Sequence, residues 1–174
     1  AAVCARGKEV AHGVDGQGWK CEAQGKFKKW GTEEDRKRFE LGAGCVIDEF
    51  NTLEVGEGLH HTGKLVVGEA MGDLGGLTLA YKAYRHSLQG KPGPVIDGFT
   101  ADPRFFLAFA RVWGAKMRPE PIRLQLNTNP HPVARVRSIG PLQTLPEFQQ
   151  GVGCPRRNPP VTPGDQPFQP LDPT

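Results

Sequence analysis

Hydrophobic residues recur at spacings of three and four in two long segments, the pattern of a helix that buries one face. The first segment predicts a helix from Glu69 to about Gln89, and the second predicts a helix over residues 101–117. The aromatic stripe of the second segment is expected to be core, not a cofactor-binding face; its members are Phe105, Phe106, Phe109 and Trp113. The pattern therefore indicates a mainly α fold with long connecting loops.

Capping and turn residues mark the remaining elements. Residues 1–13 predict a helix ending at Gly13, and Thr32 is suited to cap a helix that runs to about Phe50. Shorter helices are expected over residues 119–126 and 146–151. The Gly-rich segments 14–31 and 56–68 are expected to be loops, with His60 and His61 solvated in the second of them.

The length of 174 residues supports one domain, which we place at residues 1–153, with a Pro-rich extended tail over residues 154–174. The net charge of +3 is too small to argue for nucleic acid, and the basic residues 36–38 are expected to form a solvated helix face. No apolar run reaches the length of a membrane span. The cellular compartment stays open, and a secreted or extracytoplasmic one is favoured. Isolated buried thiols are favoured over disulfides for Cys4, Cys21, Cys45 and Cys154.

The stretch GKEVAHG carries the first chemical signal. With histidine in place of Lys8 it would contain H-E-x-x-H, which sets two imidazoles on one helix face and a glutamate between them. Glu69 and Asp73 are also four residues apart, so they share a face of a second helix. We expect the two faces to meet, with Glu69 within a few ångströms of His12 and the Lys8 ammonium paired with Glu69 or Asp73.

These motifs resemble the C-terminal catalytic segment of the neprilysin and endothelin-converting-enzyme family of zinc metallopeptidases, particularly its bacterial members. The stretch GEAMGDLGGLTLAYKAY is similar to that family's G-E-N-I-A-D-x-G-G-L-x-x-A-Y-x-A-Y motif. Four other stretches resemble the family in the same order along the chain: WGTEEDRKRFE, GLHHTGKLVVGE, FTADPRFFLAFARVW and TNPHPVARVRSIGPLQTLPEF. The resemblance spans about residues 7–154 and implies a zincin-like catalytic helical domain.

The resemblance also implies roles for individual residues. His12 and Glu69 would be ligands of one zinc ion, and Glu9 would be the general base that activates water. Asp73 would orient the first histidine of the motif, whose position is occupied here by Lys8.

Two residues from the later stretches would complete the site. His131 would stabilise the oxyanion of the tetrahedral intermediate, and Arg137 would bind a carbonyl or carboxylate of the substrate. A structural role for His131 stays open, because Asn129 replaces the aspartate that the family places near that histidine.

Two functions follow, and the residues alone leave both open. The first is a zinc-dependent endopeptidase, and the second is a peptide-binding pseudopeptidase that Lys8 prevents from holding metal. A basic helical domain for nucleic acid is disfavoured by the near-balanced charge. The expected partners are peptide substrates and the family's large N-terminal domain as a further part of the same protein, with no nucleic acid and no membrane span in this chain.

Overall fold

A computed structural model describes residues 2–152, and they form a mainly helical fold, as the hydrophobic pattern predicted. The described elements are, in chain order, α1 (Ala2–Ala11), a 3-10 helix (Gly18–Lys20), α2 (Glu33–Thr52), β1 (Glu54–Gly56), β2 (Leu59–His60), α3 (Gly63–Ser87), α4 (Ala101–Val112), α5 (Pro119–Thr128), α6 (Ala134–Thr144) and α7 (Pro146–Val152). β1 and β2 form an antiparallel hairpin. None of these helices is long and apolar enough to cross a membrane. The predicted Pro-rich tail, with Cys154, lies outside the described residues.

Helix α3 is central, and α1, α2 and α6 all pack against it. Glycines let α1 approach α3 closely. A Cβ atom built on Gly76 would lie 2.4 Å from the carbonyl oxygen of Cys4 and 2.6 Å from the amide nitrogen of Lys8. The close crossing brings the polar residues of α1 directly against those of α3.

Two hydrophobic clusters hold the helices on either side of this crossing. One is built around the buried residues Leu77, Phe106 and Phe109, and the Tyr81 and Phe106 rings stack there with centroids 5.1 Å apart. Phe106 and Phe109 of the predicted aromatic stripe are buried in this cluster, which confirms them as core, and Phe105 and Trp113 pack against it partly buried. The other cluster joins α2, α3 and α6 through apolar residues that include Val46, Phe50, Val66 and Val136.

The N-terminus of α2 follows the sequence prediction. The Thr32 side chain accepts a hydrogen bond from the Asp35 amide, and the Asp35 carboxylate accepts one from the Thr32 amide, which completes a capping box. Arg36 pairs with Glu33 and Glu40 on the exposed side of the helix. The basic cluster is therefore a solvated helix face, as expected.

The structure corrects several predicted boundaries. Helix α3 begins at Gly63 and not at Glu69, because residues 63–68 continue the helical packing against α2 with Val66 fully buried. Helix α4 ends at Val112, five residues before the predicted end at residue 117. The prediction of a solvated His61 is wrong: the ring is 3% exposed and its Nε2 accepts a hydrogen bond from the Val133 amide.

Helix α6 was not predicted. Gly140 and Pro141 are typical helix breakers, yet both are buried inside this helix. A Cβ on Gly140 would lie 2.6 Å from the Phe50 ring, so the glycine makes room for the packing of α2 on α6. Tertiary packing therefore stabilises a helix that local propensity disfavours.

Candidate active site

The Lys8 side chain lies at the centre of a polar cluster between α1 and α3. Its ammonium is 2.7 Å from His12 Nε2, 2.8 Å from Glu69 Oε2 and 3.4 Å from Glu9 Oε1. The Glu69 contact has the distance of a hydrogen bond but not its alignment, and it is an ion pair. The Lys8 side chain is only 11% exposed, so this pair is largely withdrawn from water.

His12 is fixed from its other side by Asp15. His12 Nδ1 lies 2.7 Å from Asp15 Oδ2, and Asp15 Oδ1 accepts hydrogen bonds from the amides of Gln17 and Gly18. A carboxylate on Nδ1 favours the tautomer in which that nitrogen carries the proton and Nε2 is the acceptor. Nε2 can then accept a hydrogen bond from Lys8.

Glu69 joins the two halves of the cluster. Its carboxylate lies 3.5 Å from His12 Nε2 and 3.1 Å from His131 Nε2. Burial raises the pKa of Glu69, but contact with Lys8 and the proximity of the His131 and His12 rings together bring that pKa below its usual value. The geometry and the electrostatics both favour an ionised Glu69.

His131 is oriented by Asn129, at the position where the family resemblance implies an aspartate. The Asn129 Oδ1 atom lies 3.0 Å from His131 Nδ1 and accepts a hydrogen bond from the His131 amide. The substitution therefore keeps an acceptor beside the ring while removing its negative charge.

The Asp73 carboxylate forms an ion pair with Arg137. The guanidinium of Arg137 donates from Nε and Nη2 to the two carboxylate oxygens of Asp73, both at 2.7 Å. It also stacks on the Trp113 ring at 4.0 Å and lies 3.7 Å from Glu69. Burial raises the pKa of Asp73, and Arg137 opposes that rise. Of the two partners predicted for Lys8, Glu69 is confirmed, and Asp73 pairs with Arg137 instead.

Two cavities border the cluster. A cavity of about 240 Å³ has an apolar wall of Phe109, Val112 and Trp113 and a polar side that includes Lys8 and His131. A second cavity of about 470 Å³ is bordered by polar and apolar residues, among them His12, Glu69, Phe39, Leu65 and Met71. Glu9 lines the first cavity, and its side chain is 72% exposed.

The residues present do not fit a zinc ion. Catalytic zinc takes three protein ligands and structural zinc takes four. His12 and Glu69 offer two donors, and the third position holds an ammonium that lies against both of them. Across residues 2–152, no group of three or more histidine, cysteine or acidic side chains could hold a metal ion.

The fold thus brings together the residues that the sequence assigned to the site, although their roles remain predictions: Lys8, Glu9, His12, Glu69, Asp73, His131 and Arg137. Sequence reasoning missed Asp15 and Trp113 as members of the site. Asp15 follows His12 by three residues and precedes a glycine, a pattern that favours a turn in which the carboxylate accepts hydrogen bonds from the amides that follow it. For Trp113 no local sequence signal shows whether the ring is only a core residue or also the surface on which the Arg137 guanidinium stacks.

Solved structures of the same fold are much longer than this chain. The Mycobacterium tuberculosis zinc metalloprotease Zmp1 in complex with an inhibitor superposes with a TM-score of 0.85 at 30% identity, over 95% of this chain and 26% of that one. PepO from Lactobacillus rhamnosis gives a TM-score of 0.74 at 26% identity, over 90% of this chain and 23% of that one. Both likenesses support the zincin-like fold.

Sequence comparisons reach the same family. The endothelin-converting enzyme homolog of Locusta migratoria is 36% identical over 152 residues, which are 86% of this chain and 21% of that protein. Endothelin-converting enzyme 1 of Rattus norvegicus is 32% identical over 156 residues, 88% of this chain and 20% of that protein. This chain therefore spans about a fifth of the length of these relatives. The model of peptidase family M13 matches residues 4–165, and the chain belongs to that family.

Proposed function

We propose that this chain is a catalytic-type segment of a neprilysin-like peptidase that binds peptides and, with Lys8 in place, does not hydrolyse them. The observation that carries the proposal is the position of the Lys8 ammonium, within 2.8 Å of both His12 Nε2 and Glu69 Oε2. A lysine ammonium has three donors and no acceptor, so it cannot ligate a metal. It also repels a dication from His12 and Glu69, the two candidate ligands that lie against it.

The cavities support peptide binding as the remaining activity. An apolar side chain of a peptide fits against the wall formed by Phe109, Val112 and Trp113. The backbone of the same peptide would lie near His131 and Arg137, which can offer hydrogen-bond donors to its carbonyl groups. The family resemblance assigns the binding of a substrate carbonyl or carboxylate to Arg137 and the stabilisation of the oxyanion to His131.

A second candidate is a zinc-dependent endopeptidase, and family membership supports it. His12 and Glu69 lie 3.5 Å apart, and Glu9 and His131, the proposed general base and oxyanion donor, both line the first cavity. The proposed peptide substrates are the same for both candidates. They differ in whether a metal is held and therefore in whether the peptide is hydrolysed. A further part of the same protein remains the proposed partner of this segment.

Zinc binding distinguishes the two candidates. We expect no stoichiometric zinc in the unmodified chain by calorimetry, and at least about a hundredfold higher zinc affinity in Lys8→His, which supplies a third ligand and removes a charge. The matched control is Lys116→His, which adds a histidine at an exposed loop position. Tight zinc in the unmodified chain, or chelator-sensitive cleavage of peptides by it, would favour the endopeptidase.

Peptide binding is tested separately from metal. Retention of apolar fluorescent peptides should persist in chelator and should weaken about tenfold in Val112→Glu, which places a charge in the apolar wall of the cavity. Leu107→Glu is the matched control, because Leu107 lies on the same helix α4 with nearly the same exposure, 47% against 49%, and does not line the cavity. Equal binding by the two variants would contradict a peptide site in this cleft.

A further inference from the structure

The net charge of the chain is concentrated in one short segment outside the cleft. Residues 18–30, which we name the basic hairpin, contain four lysines and a single acidic residue, Glu22. Their net charge is +3, which equals the net charge of all 174 residues, so the remainder of the chain is balanced. A local excess of this kind creates a positive field at one point of the surface.

The basic hairpin is ordered by its own backbone contacts. Cys21 and Phe27 face each other in an antiparallel bridge, the Lys28 amide donates to the Lys20 carbonyl at 2.8 Å, and Gly25 closes the turn with φ of 77°. Glycine is suited to that conformation because it lacks a Cβ atom. The result is a short hairpin arm closed by one isolated bridge, and its first residues, Gly18–Lys20, form a 3-10 helical turn.

The arm exposes apolar rings between its charges. Residues 23–30 are all exposed, and the Phe27 ring, between Lys26 and Lys28 in the chain, is 92% exposed. Trp30 is 52% exposed at the end of the same arm. An exposed phenylalanine leaves apolar surface in water, which favours a partner that can take up the ring.

We propose that the basic hairpin docks on an anionic lipid surface. Phe27 would enter the boundary of the acyl chains, and the indole of Trp30 would lie at the level of the headgroups. Lysine side chains beside an inserted ring can extend their ammonium groups to the headgroup phosphates, where each contributes to binding. This peripheral binding is independent of the peptide cleft and of metal.

Single-stranded nucleic acid fits the same charge less well. Binding of that kind uses the open faces of aromatic rings as stacking platforms for bases. Here the Lys29 ammonium lies over the Trp19 ring, 5.4 Å from its centroid, and occupies one face. A ring that projects alone, as Phe27 does, is better suited to insertion than to successive stacking.

The test is co-sedimentation of the 174-residue chain with vesicles of phosphatidylcholine, with and without about one third phosphatidylserine. We expect binding only to the anionic vesicles, and a loss of binding as salt rises. The double variant Lys26→Gln/Lys28→Gln should bind on the order of thirtyfold more weakly, about fivefold for each lysine. Phe27→Ala should lower binding about tenfold and leave its salt dependence in place.

Matched controls separate these effects from general changes of charge and apolarity. Lys82→Gln/Lys91→Gln removes two exposed lysines elsewhere, and Phe99→Ala removes an exposed phenylalanine outside the arm. Both should bind like the unmodified chain. In a Phe27→Trp variant, quenching of the new indole by brominated lipid should report insertion directly.

Three outcomes would overturn the proposal: equal binding to neutral and anionic vesicles, no binding to either, or hairpin variants that bind like their controls. Binding of the chain to a single-stranded oligothymidylate and to an acidic peptide is measured alongside its binding to vesicles. Tight binding to either of these without binding to anionic vesicles would assign the arm to that partner and refute the lipid surface.

Discussion

At the scale of single residues, Lys8 supplies the positive charge nearest to the Glu69 carboxylate inside the cleft. Removing one partner of a largely buried ion pair leaves the other charge without its compensation, which costs more than the pair itself contributes. Arg137 and His131 remain near Glu69 and limit that cost. Lys8 is thus both the reason that zinc does not fit and a contributor to the stability of the segment.

We expect Lys8→Met to lower the free energy of unfolding by about 2 kcal/mol at neutral pH. Glu69 has a lowered pKa in the folded chain, so its contribution is present above the ordinary glutamate pKa of about 4.3 and is lost as pH falls through the folded value. The difference between Lys8→Met and the unmodified chain should therefore shrink in acid. Chemical denaturation at several pH values measures it.

The control for this prediction is Lys82→Met, which removes an exposed lysine from the same helix as Glu69. That variant should change the free energy of unfolding by no more than about 0.5 kcal/mol. A loss as large as that of Lys8→Met, or a loss that does not depend on pH, would show that the ion pair with Glu69 is not the cause.

At the scale of elements, the crossing of α1 and α3 depends on glycines of α3. Gly76→Ala would place a methyl carbon 2.4 Å from a backbone carbonyl oxygen of α1, and backbone atoms cannot turn away as a side chain can. We expect a loss of about 3 kcal/mol in the free energy of unfolding, since α1 must shift to relieve the overlap. The shift would also move Lys8 and His12 away from Glu69.

Gly44→Ala is the matched control, a glycine inside helix α2 with no atom within 4 Å of the added carbon. It should stabilise the chain by about 1 kcal/mol, because alanine is the better helix former. The two glycines therefore predict changes of opposite sign in thermal or chemical unfolding. Destabilisation of similar size in both variants would contradict the close crossing.

The elements also show which local signals are decisive. The Thr32 cap and the acidic first turn of α2 suffice to place its start, because those contacts lie within four residues of each other. Helix α6 could not be predicted in this way, since Gly140 and Pro141 oppose it locally and the Phe50 ring packs against it from another helix.

At the scale of the whole molecule, Glu49 connects α2 to α6 across 95 positions of the chain. Its carboxylate accepts a hydrogen bond of 2.6 Å from the Thr144 hydroxyl. Burial raises the pKa of Glu49, and this hydrogen bond opposes the rise only in part. The folded chain therefore favours the protonated form of Glu49 more than the unfolded chain does.

We expect Glu49→Gln to raise the free energy of unfolding by on the order of 1 kcal/mol at neutral pH, since the amide keeps the acceptor without a buried charge. An acid with a raised pKa makes stability fall as pH rises from the ordinary glutamate value through the folded value. The unmodified chain should show that fall, and Glu49→Gln should lack this component. The free energy of unfolding measured between pH 4 and 8 tests this prediction, and Glu120→Gln, at an exposed glutamate, is the control. A fall in stability of the same size in Glu49→Gln as in the unmodified chain would contradict the prediction.

The sequence by itself determined the helical character of this chain, the core role of the aromatic stripe and the family resemblance. Those features rest on spacing within one element, which the order of residues encodes directly. It also sufficed to predict that His12 lies near Glu69. Each of the two helices carries a pair of polar residues on one face, and the family resemblance indicates that these two faces contact each other.

Only the tertiary structure decided the partners inside the cleft. Asp73 bonds to Arg137 rather than to Lys8, His61 is buried against Val133, and Asp15 holds His12. Each pairing joins side chains by distance and direction in space, and several alternatives were equally compatible with the spacing along the chain. The physical reason is that a buried charge or ring takes the nearest partner that removes it from water, and packing of whole helices decides which partner is nearest.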